Sequence, residues 1–257
     1  MNKFINRLAF TSAGLAAAWL TGCCVMNTPK GTTSRPAGLV AWWRGENNAL
    51  DCTGSNNGTW VGTVSYTNGE VGQAFNFNGA DGASYISVPN APAIEFTNTM
   101  TVEAWVNVRT FAGYVNSYEI VSKLNGPAAP KAYSYTFAID PATQRAYFIE
   151  DSLVTAATVF SSASTPIPTN QWVHLAGVDD GSNIMMYVDG QLSGTQPATA
   201  GIAPDPNPLV IGCTLQGLGW PTSFFNGQID EVSLYKRALS SNEIASIYHA
   251  GSAGKLP

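Results

Sequence analysis

The stretch Phe225-Asn226-Gly227-Gln228-Ile229-Asp230-Glu231-Val232-Ser233-Leu234-Tyr235-Lys236-Arg237-Ala238-Leu239-Ser240 lies near the C-terminus of a 257-residue chain, and Ser241-Asn242-Glu243-Ile244 follows it. From Gln228 to Tyr235 the apolar Ile229, Val232 and Leu234 alternate with Gln228, Asp230 and Ser233, and the alternation changes phase at Glu231. Period-two patterning reads as a half-buried strand, with or without a bulge at the phase change. Two carboxylates, Asp230 and Glu231, sit in its middle, and a carboxylate near a core needs hydrogen bonds, a counter-charge or a metal. The rest of the chain has to supply those partners.

Downstream, Ser240 stands where an N-cap belongs and Glu243 follows three residues later. Ile244, Ile247 and Tyr248 give a short apolar stripe, which predicts one helix from Ser240 to about Ala250. Upstream, strand-like runs dominate. Residues 39–46 carry Trp42 and Trp43, which alternation places on opposite faces, and further runs include 100–108, 133–140, 172–179 and 183–188. Asp180-Gly181 and Asp189-Gly190 each separate two such runs and so predict hairpins. Many short strands with one peripheral helix imply an all-β, two-sheet antiparallel sandwich. At 45% hydrophobic and 11% charged residues, the chain has enough apolar material for one substantial core.

The first 22 residues stand apart. Lys3 and Arg7 precede a mainly apolar run over 8–20, the pattern of an export signal and too short for a good membrane span. Leu20-Thr21-Gly22-Cys23 resembles the lipobox of bacterial lipoproteins, which implies cleavage before Cys23 and lipidation of Cys23; an ordinary secretory signal cut nearby is the alternative. The resemblance implies a lipid bilayer as one partner and the bacterial cell envelope, outer membrane or cell surface, as the location. Residues 23–37 read as a lipidated Cys and flexible tether, 38–250 as the folded domain and 251–257 as a tail. Acidic residues outnumber basic ones, 17 to 12, for a net charge of −5, and two of the basic ones lie in the leader. Nucleic acid and anionic membrane surfaces are thereby poor partners. In an exported protein, Cys52 and Cys213 suggest a disulfide; two buried thiols are the other reading.

Several motifs carry a family resemblance. Trp42-Trp43 with Asn48-Ala49-Leu50-Asp51 and Asn56-Asn57-Gly58-Thr59 is followed by Gly72-Gln73-Ala74-Phe75 with Phe77-Asn78-Gly79, then Thr101-Val102-Glu103-Ala104-Trp105-Val106 and Gln171-Trp172-Val173-His174-Leu175-Ala176-Gly177. Tyr187-Val188-Asp189-Gly190, Ile211-Gly212 and the closing Phe225 to Val232 complete the series. In this order they resemble the laminin-G-like jelly-roll domains of the concanavalin A-like superfamily, over roughly residues 38 to 250. The resemblance implies a jelly-roll sandwich whose first and last strands are neighbours, and mostly non-catalytic members. Cys52 and Cys213 fall where such domains often carry Ser and Gly, which favours a bridge particular to this chain.

Candidate sites follow. If the terminal strands are neighbours, Asp51, Asn56 and Asn57 approach Asp230 and offer hard oxygen ligands suited to a structural Ca²⁺, which the resemblance also implies near this edge, above all for Asp51 and Asp230. The alternative makes Asp51 a turn former and leaves Asp230 to backbone amides or Arg237. On the strand over 101–108, Glu103, Trp105 and Asn107 share a face, and His174 lies on the strand over 172–179. This face could line a concave ligand surface, but Glu103 lacks a same-face acidic neighbour of the kind glycoside hydrolysis needs. Trp220, in the Gly-rich loop Leu215-Gln216-Gly217-Leu218-Gly219-Trp220-Pro221, suits stacking on a sugar ring or packing on a protein, with Tyr114 and Tyr118 as second choices; a cap on the sandwich edge is the other reading. The chain therefore reads as a non-enzymatic, surface-anchored binding module for carbohydrate or a cell-surface partner. A polysaccharide hydrolase or lyase of the same superfamily, and an adhesion domain without small ligand, are the alternatives.

Overall fold

The computed structural model describes residues 33–63, 65–79, 83–111, 116–124, 133–152, 157–198, 201–216 and 220–256. The first half contributes β1 (Leu39–Trp43), β2 (Thr59–Val61), β3 (Tyr66–Asn68), β4 (Gln73–Asn78), β5 (Tyr85–Val88), β6 (Met100–Val108) and β7 (Tyr118–Leu124). Then come β8 (Tyr133–Asp140), β9 (Arg145–Asp151), β10 (Thr158–Ser162), β11 (Val173–Asp179), β12 (Asn183–Val188) and β13 (Gln191–Pro197). The chain closes with β14 (Leu209–Ile211), β15 (Thr214–Gln216), β16 (Trp220–Thr222), β17 (Asn226–Tyr235) and helix α1 (Ser241–Ala250).

The strands form an antiparallel sandwich. One sheet runs β13-β12-β11-β6-β17-β4-β3, with β1 also paired to β17; the other runs β10-β9-β8-β7-β14-β5-β2, and β15 and β16 form a separate two-stranded ribbon. Alternation assigns the faces. Val102, Ala104, Val106 and Val108 of β6, Leu175 of β11 and Phe137 of β8 enter one core between the sheets. Trp43 joins that core, whereas the Trp42 indole points to the other face and donates to Glu231. At the β12–β13 turn Asp189 and Gly190 both adopt positive φ, 48° and 76°, the backbone of a tight hairpin.

The phase change in β17 is a bulge. Its first half pairs with β4 through Ile229↔Phe75, and its second half with β1 through Val232↔Trp43. Between them Glu231 takes a φ of 57°, and the register against β6 jumps from Asp230↔Trp105 to Ser233↔Glu103. The extra residue lets Ile229, Val232 and Leu234 all reach the core. Gly227 is required in the same strand, because a Cβ there would overlap the Asn107 carbonyl oxygen of β6.

The capping box at α1 is formed, with Ser240 accepting from the Glu243 amide. Ile244 and Ile247 pack the helix on Ala176, Val178, Tyr187, Tyr235 and Leu239, a second apolar cluster on the outer face of the larger sheet. The stretch after the helix is not a free tail. Thr33 and Lys255 form a parallel bridge, with Thr33 N donating to Gly254 O at 3.1 Å and Leu256 N to Thr33 O at 2.8 Å. Packed structure thus extends to both sides of the 38–250 span expected from sequence.

Candidate functional site

The polar and aromatic face of β6 and β11 is closed over. Glu103 and His174 are fully buried, and Trp105 stacks on Tyr248 of α1 at 5.8 Å between ring centroids. Glu103 Oε1 accepts from Lys255 Nζ at 2.9 Å and from the Tyr235 hydroxyl at 3.3 Å, while Oε2 lies 3.1 Å from His174 Nε2. Lys255 Nζ also lies 3.3 Å from Glu231 Oε2, and Glu231 receives Trp42 Nε1 at 3.0 Å and Arg44 Nε at 3.2 Å. Burial alone would raise the Glu103 carboxyl; Lys255 and His174 outweigh it and hold the group at about 2. Such a carboxylate stays ionised and has no path to solvent, so it cannot serve as a general acid. Beside it, burial and then the charge of Glu231 push Asp230 well above the usual carboxylate range. Its Oδ2 accepts from Val71 N at 2.9 Å, and Arg237 pairs with Glu243 instead.

The expected calcium ligands serve two separate loops. Six donors of Trp42, Thr53, Ser55 and Asn56 occupy the two Asp51 oxygens. Asn57 Oδ1 accepts from Asp51 N at 3.0 Å. Asp230 faces the turn at Gly69–Val71 rather than this loop. With the Asp51 oxygens occupied by N–H and O–H donors, the four residues do not fit a shared cation, and the described residues contain no group of three or more His, Cys, Asp or Glu spaced for a metal. Asp51 is the organiser of its own loop.

Cys52 and Cys213 form no disulfide. Cys52 sits on the Asp51 loop with its amide bonded to Trp42 O, at the edge of the larger sheet. Cys213 is buried just past β14 in the other sheet, where burial and the nearby Glu119 charge push its thiol up. The two thiols belong to different neighbourhoods, which explains the missing bridge.

Of the aromatic candidates, Tyr118 is corrected: it is 1% exposed, packed edge-on against Phe111 and Phe225 in the core, and presents nothing to a ligand. Its place in β7 turns it inward. Tyr114 and Cys23 lie outside the described residues. The Trp220 backbone opens β16, which pairs with β15 in the two-stranded ribbon; its side chain lies outside the described part.

A groove absent from the sequence reading lies where β10 of one sheet meets β13 of the other. It encloses about 500 Å³ between residues 158–164 and 193–196, with Arg145 at its margin. Phe160 is 57% exposed on its rim. Hydroxyls dominate the rest: Ser193 Oγ accepts from Ser164 N at 2.9 Å and lies 3.0 Å from Ser164 Oγ, and the buried Ser161 Oγ has no hydrogen-bond partner. Gly194 permits this close approach, since a Cβ there would overlap the Ser162 carbonyl oxygen. An exposed Phe within Phe160-Ser161-Ser162-Ala163-Ser164 was the available signal. Its meaning depends on Leu192-Ser193-Gly194-Thr195 lying opposite, which spacing along the chain does not show.

Comparison with solved structures gives the same architecture. Domain 4 of an extracellular arabinanase from Geobacillus stearothermophilus, solved with arabinotriose, superposes with a TM-score of 0.63 at 21% identity, covering 82% of this chain and 98% of that one. The binding domain of Paraclostridial Mosquitocidal Protein 1 gives 0.64 at 17% identity, covering 82% and 52%. The binding domain of botulinum neurotoxin DC, solved with rat synaptotagmin II, gives 0.62 at 14% identity, covering 83% and 52%. The chain thus spans about half of each toxin domain. Curated proteins give no sequence match. The sequence profile of the concanavalin A-like lectin/glucanases superfamily, laminin-G type, matches residues 78–245, more than half of the chain. With the two antiparallel sheets and the closing β17 strand, this match establishes that the chain belongs to the concanavalin A-like lectin/glucanases superfamily.

Proposed function

We propose that this chain is a non-catalytic binding module whose ligand is a glycan held at the β10–β13 edge. The groove carries the reading. A sugar offers an apolar ring face and a collar of hydroxyls; Phe160 matches the first, and the Ser and Thr hydroxyls with the Gln196 amide match the second. Ser164 and Ser193 already bond to each other, so that wall is set before a ligand arrives. The arabinotriose complex of the arabinanase domain supports a glycan, and the synaptotagmin complex of the toxin domain supports the wider reading of a surface partner. A hydrolase would need a carboxyl other than Glu103, which the Lys255 ion pair occupies.

A glycan array followed by titration tests this. Phe160→Ala should weaken binding about tenfold, roughly 1.4 kcal/mol, with the fold unchanged. Binding that survives Phe160→Ala and Ser193→Ala but disappears in Trp220→Ala would move the site to the β15–β16 ribbon. Silence across the array, with capture of a surface protein, would select the protein partner; polysaccharide turnover would select the hydrolase.

The leader and Cys23 lead us to propose display from a bacterial membrane by a lipid anchor. Incorporation of labelled palmitate, abolished by Cys23→Ala, is the expected result, and an unlabelled, freely secreted protein would overturn it.

A further inference from the structure

At one end of the seven-stranded sheet a lysine, an asparagine and a glutamate converge. Lys123, near the end of β7, is fully buried, and its Nζ donates to two neutral acceptors: Asn90 Oδ1 at 2.7 Å and the Asn207 carbonyl at 2.7 Å. The Asn90 amide nitrogen in turn donates to Glu95 Oε1 at 2.5 Å. Asp205, also fully buried, accepts the Asn207 amides on Oδ1, leaves Oδ2 without a hydrogen-bond partner, and lies close enough for its charge to act on Lys123. Tyr135 and Phe96 wall the site, their rings edge to face at 5.4 Å, and the Tyr135 hydroxyl is tied to Ile94 O at 3.1 Å.

Burial pushes the Lys123 amine down to about 8, against the opposing charges of Asp205 and Glu95. A sizeable share of it is therefore the free amine just above neutral pH, and the free amine is the nucleophilic form. Holding an amine against a carboxamide gives an intramolecular acyl transfer the advantage of proximity.

We propose that Lys123 and Asn90 join in an intramolecular isopeptide bond. The Nζ lone pair attacks Cγ of Asn90, and the carbonyl π electrons move to Oδ1. The one proton Nζ then sheds is taken up by Glu95, while the charge of Asp205 balances the positive charge on Nζ as the bond forms. Glu95, already bonded to Nδ2, delivers one proton to that nitrogen. The carbonyl re-forms, the Cγ–Nδ2 bond breaks and ammonia leaves. Nothing is oxidised or reduced, and no co-reactant is consumed. The product ties the segment after β5 to β7, two strands that flank β14 without pairing with each other. A sandwich in which Cys52 and Cys213 stay unbridged gains a covalent staple by this route.

Intact mass of the purified full chain, measured under denaturing conditions, tests the proposal. The expected mass is one ammonia below that of the unmodified polypeptide, with a tryptic fragment in which the peptide containing Asn90 is joined to that containing Lys123. Lys123→Met and Asn90→Ala should restore the full mass. Glu95→Gln should turn a nearly complete cross-link into a nearly absent one while keeping the circular dichroism of the wild type. A full mass in the folded wild type, with Lys123 open to amine reagents after denaturation, overturns the proposal, and so does an ammonia loss that persists in Lys123→Met.

Discussion

Lys255 bridges two buried carboxylates, Glu103 and Glu231, and removing one member of such a group leaves uncompensated charge in a dry setting. Lys255→Met should therefore cost about 3–5 kcal/mol in denaturant unfolding, and adding Glu103→Gln should recover part of that loss. Glu150 poses the opposite case. It lies between the sheets beside Asp179; burial, then the Asp179 charge, raise its carboxyl to about 9. Its folded value exceeds its unfolded value near 4.5, so the folded state holds a proton that the unfolded state releases across that window. The contribution to stability is complete below the unfolded value and is lost as pH rises toward 9. Gln copies the protonated acid and can donate to Asp179, so Glu150→Gln should flatten this slope and raise the melting temperature at pH 8 by about 3 °C or more, checked by thermal melts from pH 5 to 9.

At the scale of elements, β17 was legible almost in full, because alternation, the phase change at Glu231 and the two carboxylates all report local geometry. Helix α1 was legible through Ser240 and Glu243, and the Trp42-Trp43 pair through strand alternation. Lys255 was not, since a lone Lys among Gly and Ser shows nothing until the chain returns over β6. The same holds for Tyr118, whose inward turn is set by β7 packing against Phe225, and for the groove, which needs the edges of two different sheets. Gly194 marks that meeting. Gly194→Val should drive β13 from the Ser162 carbonyl, with overpacking on the order of 1–3 kcal/mol and loss of glycan binding. Retained binding with unchanged stability would show that β10 and β13 do not need this close contact.

Over the whole molecule, one core fills the space between the sheets and a second lies beneath α1. The larger sheet is thus covered on both faces around β6, β11 and β17, and the ion pairs of Glu103, Lys255 and Glu231 are sealed within that cover. The exposed Phe160 belongs to the smaller sheet, on the edge strand β10. The Thr33–Lys255 bridge adds a consequence of another kind: whatever joins the domain on either side departs from adjacent points, so the fold hangs from a single stem. Spliced through two short linkers into a surface loop of an unrelated host, residues 33–256 should fold without prising that loop apart, as domains with neighbouring ends do. Retention of both the host's melting transition and the guest's own is the expected outcome, and loss of either would mean that the stem carries strain.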